Sequence, residues 1–341
     1  MTQIKVDNVV DAAGTAAADF TSGLTVAGAA LSTLNTAEYY ETGTEPASPK
    51  NGAIWKDTAN DKVMVYIAGE FKEVELGAAA GASNWTVDLS NVSYDSVSFS
   101  VASQETGLYG GPEFSADGTK MYINGYINDS TFQYTLSTAF DLSTASYDSV
   151  SFGGQGEGAL TGVRFSTDGT KMYFLGYISD RTYEINLSTA WDLSTASYNS
   201  VNYAHGGGGS AQGLFFGAEG TKLYIVDVSA DDVREHTLST AWDLSTASYL
   251  QNFSVSSQTL VPRGICFNPE GTQMLIQSQT GVISYTLSTA WDVTSASYDS
   301  INTAVLTQQN GSGGIAFNAD GSKMYLSADN TDAIHQYSTG L

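Results

Sequence analysis

The sequence predicts an all-β protein dominated by a five-bladed β-propeller, and three observations carry that prediction. First, the phrase Phe-Ser-Ala-Asp-Gly-Thr-Lys-Met-Tyr at 114–122 returns in varied form four times, its turn acids Asp117, Asp168, Glu219, Glu270 and Asp320 spaced by 51, 51, 51 and 50 residues. A fixed period of about 50 residues rich in β-formers is the mark of a propeller. Second, only 14% of the residues are charged, with Gly, Ser, Thr and Tyr in their place, so the chain lacks the Glu, Lys and Leu that long helices need. Third, the two ends of the repeat region complement each other. The fifth unit stops after its third strand, and the missing fourth is found at Asp88–Phe99, which matches Asp141–Phe152 at ten of twelve positions. A strand from the front of the repeat region therefore closes the ring and leaves no open blade.

In chain order, residues 1–35 hold short β-prone runs broken by Gly and Ala. Residues 36–76 read as a small β-hairpin or meander module, with strands at 53–56, 62–67 and 70–76 behind a loop marked by Pro46 and Pro49. Residues 77–83 (GAAAGAS) are a flexible linker, and 84–341 form the propeller. In the first unit, 111–115 is a short inner strand, Gly118 supplies the positive φ of a tight hairpin, 120–126 and 131–136 are the second and third strands, and a longer connection leads to 147–152. Each inner strand carries a glycine at one position, Gly111, Gly162, Gly213, Gly264 and Gly314. Inner strands crowd the axis, and a residue without Cβ permits close backbone approach there. One residue earlier the copies diverge: Gly110, Thr161, Gln212, Arg263 and Gly313.

Net charge is −23, from 36 acidic and 13 basic residues, and 84–341 contribute −17 of it (8 basic, 25 acidic). No basic stripe can neutralise phosphates, so nucleic acid is not an expected partner. No apolar run is long enough to span a bilayer, and the first residues lack the pattern of a secretion signal. The single cysteine, Cys266, reads as a small buried hydrophobe, and three scattered histidines give no zinc spacing. No metal site, cofactor or catalytic residue is expected. The next inner-strand position reads Glu113, Arg164, Phe215, Cys266 and Ala316, which predicts an ion pair between adjacent blades rather than the paired carboxylates of a glycosidase. The aromatics Phe140, Trp191, Trp242 and Trp291, each followed by an Asp, read as a structural ring. Candidate binding residues lie where repetition fails, in connections between blades and in second-to-third-strand turns: Gly153, Glu157, His205, Asp231, Asp232, Gln258, Arg263 and Gln308.

The segment Pro46-Ala-Ser-Pro-Lys-Asn-Gly-Ala-Ile-Trp-Lys-Asp-Thr, followed by Lys62-Val-Met-Val-Tyr-Ile-Ala-Gly-Glu-Phe-Lys-Glu-Val, resembles a module of bacteriophage tail-fibre and other virion proteins. The opening Ile4-Lys-Val-Asp-Asn is similar to the start of tail fibres from phages of aquatic bacteria, and Leu-Ser-Thr-Ala-Trp-Asp-Leu-Ser-Thr-Ala-Ser-Tyr resembles repeats in marine phage and bacterial proteins. The resemblance implies a non-enzymatic virion protein, localised to the particle. Residues 1–35 would attach it to other tail proteins, and the propeller would face a host-surface glycan or protein or serve tail structure, as a homo-oligomer. A bacterial surface adhesin or glycan-binding propeller is the alternative, and a glycan-active enzyme the third reading.

Overall fold

The computed structural model describes residues 85–206, 209–279, 281–303 and 313–341, together with the backbone of short strands within 25–74. The chain divides into two compact units, Met1–Ala82 and Ser83–Leu341. In the first, Ile54–Asp57, Lys62–Ile67 and Glu70–Val74 form the antiparallel meander read from the sequence. Tyr39–Thr42 adds a parallel strand to Ile54–Asp57 that the sequence reading did not place. The segment 1–24 and the linker 77–83 lie outside the described residues.

The second unit is the five-bladed propeller, five antiparallel sheets of four strands each. Blade 1 runs Glu113–Phe114, Lys120–Asn124, Ser130–Leu136 and Ala145–Gly153 from axis to rim. Blade 2 runs Leu160–Phe165, Lys171–Gly176, Arg181–Leu187 and Ala196–Ala204. Blade 3 is Ala211–Gly217, Lys222–Asp227, Asp232–Leu238 and Ala247–Ser254; blade 4 is Pro262–Phe267, Gln273–Ser278, Gly281–Leu287 and Ala296–Thr303. Blade 5 is Ile315–Phe317, Lys323–Ala328 and Ala333–Ser338, completed by Ser93–Ser100 pairing antiparallel to Ala333–Ser338. The ring is closed as the sequence predicts. Every rim strand carries a bulge against its neighbour, which breaks the outer edge as a template for pairing.

The glycines of the inner strands meet at the axis. A Cβ on Gly314 would lie 2.0 Å from the Gly111 nitrogen, and one on Gly264 would lie 2.7 Å from the Gly314 Cα. The strands therefore touch backbone to backbone and leave a void of about 10 Å³ on the axis, roughly the space of one water. Among the described residues the glycine layer leaves only this void on the axis.

Blades are bolted together by one repeated device. The connection between third and outer strands places an aromatic residue over the hairpin glycine of its own blade, as Trp191 does over Gly169. Phe140, Trp191, Trp242 and Trp291 adopt φ of 60–66°, a left-handed conformation rare for such side chains. Each is held there by donating its backbone N–H to the hairpin glycine's carbonyl at 2.9–3.0 Å. The same aromatic residue then accepts, on its own carbonyl, the hydroxyl of the preceding blade's tyrosine: Tyr173 to Trp242 at 2.5 Å, Tyr224 to Trp291 at 2.7 Å and Tyr325 to Phe140 at 2.5 Å, with Tyr122 donating to Trp191 likewise. Next along, Asp141, Asp192, Asp243 and Asp292 cap the short 3₁₀ turns that follow, through the N–H two residues on.

The fifth member of the aromatic ring is Trp85, which covers Gly321 and packs on Phe317 at 4.8 Å between ring centroids. It stands three residues before its aspartate, Asp88, rather than one, so matching the repeat from Asp88 onward misses it. The preceding blade has changed to suit. Where the other blades carry Lys and Tyr, blade 4 carries Gln273 and Leu275. The Gln273 amide accepts from the Val87 N–H at 2.9 Å and donates to the Val87 carbonyl at 2.8 Å, and Asn268 donates to the Trp85 carbonyl at 3.1 Å. The closing segment is thus held by side-chain amides in place of a tyrosine hydroxyl.

Removing one bolt tests this account. Tyr224→Phe leaves the packing intact but strips the Trp291 carbonyl of the tyrosine hydroxyl, and the expected cost is about 1–2 kcal/mol. The urea midpoint should fall with an unchanged slope; a midpoint equal to that of the parent chain would refute the device.

Candidate functional site

The two faces of the ring have different jobs. One holds the hairpin turns and the aromatic connections, which are nearly identical from blade to blade. The other holds the connections between blades and the second-to-third-strand turns, where the copies diverge.

On the repeated face, a depression of about 370 Å³ lies between blades 1 and 2, lined among others by Asp117, Lys120, Gln133, Trp191 and Asp192. Its polar groups are committed to the fold. Asp117 accepts from the Ser115 and Thr119 hydroxyls and the Thr119 N–H; Lys120 pairs with Asp148 at 2.8 Å; Gln133 accepts from the Leu193 N–H at 2.7 Å and donates to Asp148; Asp192 caps Ser194. The expected pair on the inner strands is formed too: Arg164 donates to Glu113 at 2.5 Å and to the Ile265 carbonyl at 3.2 Å, and lies over the Phe215 ring at 5.2 Å. Cys266 is buried beside it, and burial pushes its thiol up to about 12. These groups hold blades together.

On the divergent face the sequence candidates separate into distinct places. Glu157 is buried, and its carboxylate accepts the N–H groups of Ile178 at 2.9 Å and Ser179 at 3.3 Å. Glu105 does the same for Ile127 and Asn128 in blade 1, so both glutamates brace turns. Gly153 ends a rim strand beside open space. The Gln258 side-chain carbonyl accepts from Tyr285 at 3.2 Å. Gln308 lies outside the described residues.

His205, Asp231 and Asp232 fall at the junction of blades 2 and 3. His205 is buried with its Nδ1 3.5 Å from Asp180. Asp232 accepts from Asn252 at 2.7 Å and lies 3.3 Å from the Arg234 Nε, which also faces Asp227 at 3.6 Å. Asp231 takes a φ of 51° and offers its carbonyl to the Val255 N–H. His236, fully buried, exchanges a hydrogen bond with the Tyr203 hydroxyl at 3.1 Å, and burial, with His205 and Arg234 nearby, holds its imidazole down to about 3. Among the described residues no group of three His, Cys, Asp or Glu is placed to hold a metal ion.

Arg263 alone among the candidates reaches the mouth of the ring, one residue before the axial Gly264. Its guanidinium lies over Tyr109 at 4.5 Å, Tyr109 meets Tyr126 edge-on at 4.6 Å, and Tyr126 meets Tyr177 at 5.5 Å. Asp329 stands 3.6 Å from its Nη1, an ion pair longer than a hydrogen bond. Nε and Nη1 of Arg263 have no hydrogen-bond partner among the described residues, and neither has the side-chain carbonyl of Gln212 at the same position one blade earlier. Arg263 and the three tyrosines are partly exposed, whereas Gln212 is 94% buried, 6% of it remaining accessible. The mouth thus combines a partly exposed aromatic run with a partly exposed arginine, the composition of a small-ligand site, while the unpartnered Arg263 Nε and Nη1 and the Gln212 carbonyl are themselves buried. Sequence reasoning found Arg263 by its divergence but missed Tyr109, Tyr126 and Tyr177, because tyrosine is frequent everywhere in the repeat.

Charge on this face is one-sided. Its loops and strand ends carry Glu105, Glu157, Asp129, Asp180, Asp227, Asp231, Asp232, Asp329 and Asp332 against Arg181, Arg234 and Arg263, nine carboxylates to three guanidiniums.

No protein-family model and no curated protein sequence matches the chain. Solved structures do. A provisionally assigned 6-phosphogluconolactonase of Bacteroides fragilis is 13% identical with a TM-score of 0.43, the match covering 66% of each chain. One from Bacteroides uniformis with the same provisional assignment is 11% identical with a TM-score of 0.44, over 86% of this chain and 77% of that one. The periplasmic gluconolactonase of Pseudomonas aeruginosa is 15% identical with a TM-score of 0.40, over 70% and 61%. The likeness is one of architecture. It corrects the expectation that the chain is not an enzyme: chains named as lactonases are among the matches.

The buried histidine gives a pH test. The unfolded chain takes up a proton near 6.5 that folded His236 refuses until about 3, so its contribution to stability is complete above about pH 6.5 and is lost as pH falls toward 3. His335, also lowered by burial, acts in the same sense. Stability should fall by up to about 1.4 kcal/mol per pH unit for such a group between about pH 6 and 4.5, and the His236 share of that fall is read by comparison with the variant. His236→Gln should flatten that slope; an equally steep profile in the variant would count against it.

Proposed function

We propose that the chain is a carbohydrate-handling propeller that takes a sugar at the mouth of its divergent face. The observation that carries this reading is the partly exposed run from Arg263 through Tyr109 and Tyr126 to Tyr177. Tyrosine rings offer flat apolar faces with a polar tip, which suits the C–H faces and hydroxyls of a pyranose. A hydroxyl both donates and accepts, so one ligand group type can serve the Arg263 guanidinium and the Asp329 carboxylate alike. A virion mounting for residues 1–83 is a separate proposal supported by the resemblance at 46–74, and its test is the presence of the chain in purified particles.

The mouth is tested by titrating the full chain with a panel of oligosaccharides and sugar lactones, following both binding and product formation. Binding of at least one of them, weakened tenfold or more by Arg263→Gln and by Tyr109→Ala with thermal stability retained, is the expected result. Binding that survives both substitutions would move the site elsewhere; the absence of any binding would end the carbohydrate reading.

A further inference from the structure

Resting on that reading, we infer that the mouth selects sugars that carry no negative charge, and that it disfavours uronates and sugar phosphates despite the arginine at its centre. The argument is one of charge balance. Arg263 is the cation at the mouth, and Asp329 faces it at 3.6 Å, so the pair contributes no net charge to an incoming ligand. The remaining arginines of this face are engaged: Arg234 lies between Asp227 and Asp232, and Arg181 donates to Asn202 at 2.6 Å. Around them the loops hold a surplus of carboxylates. Burial, and after it the neighbouring Asp329 carboxylate, raises Asp332. The chain as a whole carries −23, so its overall field has the same sign as this local surplus.

The polar pair at the mouth points the same way. A carboxylate or phosphate set against Arg263 offers acceptors alone, which suits the guanidinium but places like charge against Asp329. Hydroxyls of a neutral ring in the same place can accept from the guanidinium while donating to the carboxylate. Like charge brought against Asp329 costs affinity, so the better-matched ligand is the uncharged polyol. The aromatic run adds attraction that does not depend on charge.

The test compares, on the full chain, a neutral hexose oligosaccharide with the same oligosaccharide bearing a C6 carboxylate or a 6-phosphate, at low and at high salt. The neutral form should bind at least tenfold more tightly at low salt, and the gap should narrow in high salt as screening shortens the reach of the surrounding carboxylates. Asp329→Asn should narrow the gap at low salt, because it removes the like charge that opposes the acidic form. Tighter binding of the acidic form at low salt, or a gap indifferent to both salt and Asp329→Asn, would overturn the inference while leaving a carbohydrate site in place. Failure of every sugar to bind would overturn the site itself.

Discussion

The close approach of five backbones at the axis is the constraint on which the rest of this structure depends. With glycine at Gly111, Gly162, Gly213, Gly264 and Gly314 the inner strands can touch, and the axis shrinks to a void of about 10 Å³. That closure leaves two separate faces. One face is occupied by the aromatic bolts, whose carbonyls tie neighbouring blades and whose caps and ion pairs are committed within the fold. The proposed sugar site therefore lies on the other face, at Arg263 and the tyrosines beside it.

The bolts also account for the two-sidedness of the repeat. A tyrosine hydroxyl must meet a carbonyl one blade away, and that carbonyl is aimed by a residue held at positive φ over a glycine hairpin. Every part of such a device has to recur, so this face tolerates little variation. The connections between blades carry no such duty, and their contents drift: Glu105 and Glu157 brace two turns, His205 stands buried near Asp180, and Arg263 rises into the mouth. Closure of the ring is the exception on the repeated face. There the bolt is rebuilt from Gln273, Asn268 and Trp85, since the incoming segment arrives from the front of the repeat region.

Much of this was legible in the sequence because periodicity reports packing. Blade number, the closing strand, the glycine layer and the Glu113–Arg164 pair all follow from residues that return at a fixed interval. Trp85 escaped because two extra residues separate it from Asp88, which breaks the spacing that identifies its partners. The mouth was legible only in part. Arg263 stands out against Gly110, Thr161, Gln212 and Gly313, but Tyr109, Tyr126 and Tyr177 are single members of an abundant residue type, and their convergence is a property of the ring. The commitment of Glu157 to turn N–H groups was equally invisible, since a carboxylate that braces a turn and one that awaits a ligand look the same in a sequence.

The most direct measurement is amide chemical-shift mapping of the full chain with a bound oligosaccharide. Perturbations gathered at Tyr109, Tyr126, Tyr177, Arg263 and Asp329, with the connections around Trp191 and Trp242 undisturbed, are what a plugged axis and a site on the divergent face predict. Perturbations centred instead on the aromatic connections, around Asp117, Trp191 and Asp192, would contradict it.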